Sequence, residues 1–180
     1  MSEESTRMPL PLIPDDAVLN VDPAFVEFAV QALAESELAD GLSDAQKVQL
    51  VTAGQRRQYA PGQVVFNEHE RSREIYIVEA GSVEIMLDPH SVGDDVAALR
   101  KIATLSVGQI CGEMALLDGG VRSARAVAGQ QGARLLGFTS NKLTALCEAD
   151  TAIGYRLMRN LAGALALRLR LQDMRLYSAE

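Results

Sequence analysis

Glu113 and Arg122 are the two side chains whose types and spacing could together act on a small ligand. They bracket the stretch Gly108-Gln109-Ile110-Cys111-Gly112-Glu113-Met114-Ala115-Leu116-Leu117-Asp118-Gly119-Gly120-Val121-Arg122-Ser123-Ala124, with Arg122 nine positions beyond Glu113. Gly112-Glu113 follows a β-rich run, and 114–118 is too short for more than one helical turn. Such a turn offers free backbone N–H groups and a positive dipole end, which suit a phosphate. A nearby arginine supplies a two-pronged clamp on the same anion, and a carboxylate beside it can accept a hydrogen bond from a sugar hydroxyl. Together they fit an anionic nucleotide with a free 2′-hydroxyl. Spacing alone favours a Glu–Arg ion pair that closes a surface turn.

Other chemistries find less support. His69 and His90 are the only histidines and do not form a strand-spaced pair, so no metal site is expected. Cys111 and Cys147 stand 36 positions apart, which suggests neither a disulfide framework nor a zinc site. No base and nucleophile pair, Gly-x-x-x-x-Gly-Lys loop or Gly-x-Ser-x-Gly elbow is present. The chain does not read as an enzyme.

The elements that must position Glu113 and Arg122 follow from texture. Residues 1–21, acidic and carrying Pro9, Pro11 and Pro14, read as a mobile arm. Residues 22–56 read as an N-terminal helical segment. Asp22-Pro23 makes a good helix start, and Ser43-Asp44-Ala45-Gln46 fits a capping box for a second helix ending at Gly54. Residues 57–139 carry short β-rich runs at 63–66, 74–79, 82–88, 99–106, 124–129 and 133–139. Turns are expected at Pro61-Gly62, Ala80-Gly81, Val107-Gly108 and Gly119-Gly120, with a polar hairpin loop at 89–97. Many short strands at this spacing point to a sandwich, jelly roll or barrel. In residues 140–180 Ser140 can cap a short helix and Asp150 a long one. The leucines of that last helix fall on more than one face. One stripe can pack on the β domain while another pairs with a second subunit, and a single broad core-facing helix fits as well.

Bulk properties set outer limits. The 180 residues are 48% apolar and 23% charged, enough for a packed core and unlike a disordered chain. Aromatics are 4% with no Trp, and the net charge is −7, so a stacking platform or a dedicated nucleic-acid or anionic-membrane surface is not expected. The acid is concentrated at the front, where residues 1–46 hold ten carboxylates against Arg7 alone. No signal segment or membrane-length apolar run is present, which reads as cytoplasmic.

The stretch as it stands, Cys111-Gly112-Glu113-Met114-Ala115-Leu116 and then Arg122-Ser123-Ala124, resembles the phosphate-binding cassette of the cyclic nucleotide-binding domain family. Upstream, Tyr59-Ala60-Pro61-Gly62-Gln63-Val64-Val65-Phe66 and Ile75-Tyr76-Ile77-Val78-Glu79-Ala80-Gly81-Ser82-Val83 match the family's first strands and turn. The resemblance covers about residues 36–175. It implies a mainly β fold, an eight-stranded jelly-roll-like β-roll with N-terminal helices, a cassette at 112–124, and C-terminal hinge and lid helices at 140–180.

By the same resemblance, Glu113 would accept the ribose 2′-hydroxyl and Arg122 would pair with the cyclic phosphate. The backbone of Ala115, Ser123 and Ala124 would complete the cradle, Met114 would open its helical turn, and Gly112 would let the main chain approach the sugar. Ile85 and Ile102 would stand near the base. Ser123 in place of Thr leans toward cAMP over cGMP. Cys111 stands where Phe is usual and reads as a packed small residue. Arg125 replaces a common Thr, and a charged loop at 68–73 replaces the usual glycine-bearing turn.

The implied function is a cyclic nucleotide sensor, cAMP being the expected ligand, with no other cofactor, whose C-terminal helices rearrange on binding. A cyclic di-GMP receptor, or an interaction module on the same fold that binds no nucleotide, are the alternatives. Partners would be an unidentified protein effector and a second copy paired through the C-terminal helix. No DNA contact is expected, because the sequence given stops after the long helix with no helix-turn-helix, and no membrane contact, because the net charge is −7 and no apolar run reaches membrane length. Arg156, Arg159, Arg168, Arg170 and Arg175 read as a solvated helical face or as stems covering leucines. Arg168 could alternatively reach the base as a lid.

Overall fold

The computed structural model describes residues 23–88, 99–117 and 121–177, with the side chains of 115, 116, 172 and 175–177 left aside. The expected arm at 1–21, the cap at Asp22, the loop at 89–97 with His90, and residues 118–120 of the cassette lie outside the described residues.

Helices α1 (Pro23–Ala32) and α2 (Asp44–Ala53) lead into strand β1 (Gln55–Tyr59). The capping box forms as expected: Ser43 Oγ accepts the Gln46 N–H, and Gln46 Oε1 accepts the Ser43 N–H. Gly54 is the C-cap of α2, as expected, and a side chain there would run into Leu136 and Phe138. β2 (Val64–Phe66), β3 (Glu74–Leu87), β4 (Arg100–Leu105), β5 (Ile110–Cys111), the single turn α3 (Met114–Leu117) and β6 (Arg125–Thr139) follow. α4 (Ser140–Ala149) and α5 (Thr151–Tyr177) close the described chain. Asp150 caps α5 as expected, its Oδ1 accepting the Ala152 and Ile153 N–H groups. The cap of α4 is Thr139 rather than Ser140; its Oγ1 accepts the Lys142 N–H.

Among the described residues the sheet has six continuous strands, not eight. The difference lies in two glycines. Gly81 and Gly132 both take positive φ, +73° and +75°, and each bends a long strand instead of ending it. The expected turn at Ala80-Gly81 is thus a register shift inside β3, and residues 129–132 bulge from β6 opposite Ser82. Each long strand contributes to two half-sheets. The order β1-β6-β3-β5 makes one half, and β2-β6-β3-β4 the other, all antiparallel. Bending two strands across both halves produces the roll with six strands.

The apolar run Ile75-Tyr76-Ile77-Val78 is buried throughout because both faces of β3 are covered. Ile75 and Ile77, with Leu136 and Phe138 of β6, face a layer built by α1, α2, α4 and α5. Tyr76 and Val78, with Leu135, Phe66 and Cys111, face the roll interior. This period-two division leaves β5 and the cassette at the seam between helical layer and roll.

The bend at Gly81 generates an expectation. A Cβ there would collide with the Gly132 carbonyl, whereas one at Gly62, also at φ +73°, meets nothing within 4 Å. Gly62→Ala should cost about 1–2 kcal/mol for its backbone conformation alone. Gly81→Ala should cost clearly more in urea denaturation, and equal costs would mean that the two bends do not abut.

Candidate functional site

Arg122 is the most deeply buried charge at the cassette, 3% exposed. Its main chain is held by the expected charged loop: Arg122 N–H donates to the Glu70 carbonyl at 2.9 Å, and His69 N–H donates to the Arg122 carbonyl at 2.9 Å. Its guanidinium lies 4.0 Å from the centre of the Phe66 ring, which in turn stacks on Tyr76. Nη1 donates to the Gly112 carbonyl at 3.0 Å. Nη2 donates to Ser72 Oγ at 2.9 Å and to the Glu74 carbonyl at 2.7 Å. Every one of these acceptors is neutral. Among the described residues no carboxylate lies within ion-pair distance of Arg122, and its buried Nε has no acceptor. Burial pulls its pKa below the ordinary value. A buried cation held by neutral groups, with a donor to spare, is poised for an anion.

Gly112 is required by this packing. Its φ is +78°, and a Cβ would collide with Arg122 Nη1 and come within 2.7 Å of the Glu74 carbonyl. Cys111 packs into the roll cluster with Phe66 and Tyr76. Burial, with the Glu113 charge adding to it, pushes its thiol up to about 12. The thiol therefore stays protonated and acts as a packing group.

Glu113 is 8% exposed and does not pair with Arg122, so the Glu–Arg turn closure favoured by spacing does not form. Its partner comes from α5: Arg168 Nη1 donates to Glu113 Oε1 at 2.8 Å. The same guanidinium donates through Nη2 to Glu37 Oε1 at 3.2 Å and to the Ile110 carbonyl at 2.5 Å. Arg168 reaches this point because it continues the buried stripe Ile153, Leu157, Leu161 and Ala164 at helical spacing. It thus belongs to neither the solvated face nor the leucine-covering set.

The remaining expected residues fall as follows. Met114 and Ala115 lie in α3, the expected single turn. Ser123 Oγ–H donates to Met114 Sδ at 3.4 Å, so the two ends of the cassette meet. Ala124 is half-buried beside Ser123. Ile85 packs against the roll cluster, and Ile102 is half-buried on β4. Sequence reasoning did not single out Ser72, Glu74 or Glu37. Two of Arg122's acceptors are main-chain carbonyls, which any residue type supplies, and Glu37 lies 131 positions from its partner. Among the described residues no cluster of His, Cys, Asp and Glu could hold a metal ion, and no helix is long and apolar enough to cross a membrane.

Glu74 fixes the strand end that Arg122 grips. Arg57 pairs with it through both Nη groups, and Tyr76 O–H donates to its Oε2 at 2.6 Å. Burial alone would raise the Glu74 carboxyl, but the Tyr76 hydrogen bond and the Arg57 pair outweigh burial and hold it below its ordinary value.

The sequence matches the family described as the cyclic nucleotide-binding domain over residues 56–150. It is 33% identical over 141 residues to the cyclic AMP receptor protein of Thermus thermophilus, a match covering 78% of this chain and 61% of that protein. The crystal structure of the Thermus thermophilus catabolite activator protein superimposes with a TM-score of 0.68 at 31% identity, over 80% of this chain and 63% of the other. The chain therefore spans about three-fifths of the length of both relatives. A cyclic nucleotide-binding domain from Methylobacillus flagellatus superimposes at 0.74 with 19% identity, over 86% of this chain and 85% of that one, a likeness of fold.

A carboxyl whose folded pKa is depressed stabilises the fold above its unfolded value, and that contribution fades as pH falls through the folded value. Glu74→Gln should therefore lower stability near pH 7. The gap from the unmodified protein should narrow below about pH 4, where the native carboxyl also takes up its proton. Urea melts at the two pH values check this, and a gap of constant size would contradict it.

Proposed function

This chain belongs to the cyclic nucleotide-binding domain family, and we propose that it senses a 3′,5′-cyclic nucleotide, cAMP, through the Arg122–Glu113 cassette. The family makes it a cyclic nucleotide-binding regulatory domain. The observation that carries the choice of site is the Arg122 guanidinium, buried, bonded only to neutral acceptors and left with an unpaired Nε–H. A singly charged cyclic phosphate supplies the missing anion without requiring a second cation. Glu113 accepts the ribose 2′-hydroxyl beside it, and the α3 turn with the Ser123 and Ala124 amides frames the phosphate. The likeness to a cyclic AMP receptor protein supports the adenine nucleotide.

Regulation runs through α5 in this reading. Glu113 is already the acceptor for Arg168, so a sugar hydroxyl arriving at Glu113 alters the charge that seats the helix. The ligand shifts the position of α5 only by the difference between its affinities for the two arrangements. Tyr155, Met158 and Leu169 lie on an exposed face of α5 at the spacing of a coiled-coil seam. That face supports pairing with a second copy of the chain, and a cytoplasmic protein effector completes the proposal.

Removing a buried charge partner of a bound anion costs about 2–5 kcal/mol, with about 1.4 kcal/mol per tenfold. Arg122→Gln, which can keep some of the carbonyl contacts, should thus weaken cAMP binding at least tens-fold in calorimetry. Cyclic GMP and cyclic di-GMP, titrated in parallel, test the choice of ligand. Unchanged cAMP affinity in the variant would place the nucleotide elsewhere.

A further inference from the structure

The turn at residues 36–42 is wedged between α5 and the strand that leads into the cassette. Glu37 N–H donates to the Gly108 carbonyl at 3.1 Å, and Ile110 N–H donates to Glu37 Oε1 at 3.1 Å. From the other side, Asn160 Nδ2 donates to the carbonyls of Leu38 and Asp40 at 2.9 and 2.8 Å. Arg168 Nη2 reaches the same Glu37 Oε1. Ile110 thus spends its N–H on Glu37 and its carbonyl on Arg168. Glu37, Ile110, Arg168 and Glu113 form one connected group, with two carboxylates drawing on a single guanidinium.

We propose that Glu37 is a positioning residue of the ligand site, setting how strongly the site recognises a sugar hydroxyl by sharing Arg168 with Glu113. The proposal rests on the reading that Glu113 accepts the 2′-hydroxyl. A carboxylate whose charge is fully met by an arginine is a poorer acceptor for a further donor than one whose charge is met in part. Glu37 takes one edge of the Arg168 fork, leaving Glu113 a single Nη contact and residual charge directed at the ligand. Without the Glu37 charge, Arg168 answers to Glu113 alone, and the sugar hydroxyl competes against a stronger pair. Glu37 does this without touching the ligand.

The test uses the full chain and two ligands, cAMP and its 2′-deoxy analogue, titrated by calorimetry. Glu37→Gln keeps an oxygen to accept the Ile110 N–H and removes only the charge. The preference for cAMP over the deoxy compound should fall roughly three- to tenfold, about the difference between a charge-assisted and a weaker hydrogen bond. Affinity for the deoxy compound should stay within about twofold. In an Arg168→Gln background the same change at 37 should leave the preference where it was, because Glu37 acts only through Arg168. An unmoved preference in Glu37→Gln, or a shift that persists without Arg168, overturns the assignment of Glu37 while leaving the nucleotide site standing. Failure of the unmodified protein to bind either compound overturns both.

Discussion

The structure depends on how a buried guanidinium is held. Arg122 is enclosed by the Phe66 ring, the strand end at Glu74 and the main chain at Gly112, and it bonds there to oxygens without formal charge. Desolvating a cation is expensive unless an anion answers it. Its surroundings are arranged around that cost. Gly112 lacks the side chain that would displace the guanidinium, Ser72 supplies a hydroxyl, and the Arg57–Glu74–Tyr76 cluster anchors the carbonyl that Nη2 grips. These contacts orient Arg122, and among the described residues its buried Nε has no acceptor.

Glu113, the carboxylate of the candidate site, is tied to the helices. Through Arg168, Glu113 communicates with α5 and with the turn at 36–42, and Asn160 fastens that turn to α5 two helical turns earlier. In the proposed sensor, sugar recognition and helix position therefore draw on one charge group. This gives the proposed sensor a physical coupling: a hydroxyl at Glu113 and the seat of α5 depend on the same guanidinium. Tyr155, Met158 and Leu169 are exposed on a different face of α5 from the buried stripe that Arg168 continues, and in the proposed sensor that face would pass a change in helix position to a second copy.

Local patterns made much of this legible in the sequence. The capping box at Ser43, the Asp150 cap and the single turn after Glu113 all lie within short windows, where residue type dictates geometry. Glycine was ambiguous. At Gly81 and Gly132 a positive φ serves a bend in a continuous strand, whereas the sequence reads equally well as a turn between two strands. Thr139 and Ser140 can both cap a helix, and tertiary register chose the first. Long-range partners left no signal. Arg168 sits 55 positions from Glu113, and nothing in a leucine-rich helix marks one arginine as the continuation of its buried stripe until the packing is seen.

The Nε–H of Arg122 is a single proton that side-chain nitrogen NMR reads directly. Saturation with cAMP should move that resonance downfield and slow its exchange with solvent, while adenosine, which lacks the phosphate, should leave it in place. If cAMP binds and the Arg122 Nε–H signal keeps both its shift and its exchange rate, the buried guanidinium is not the phosphate's partner.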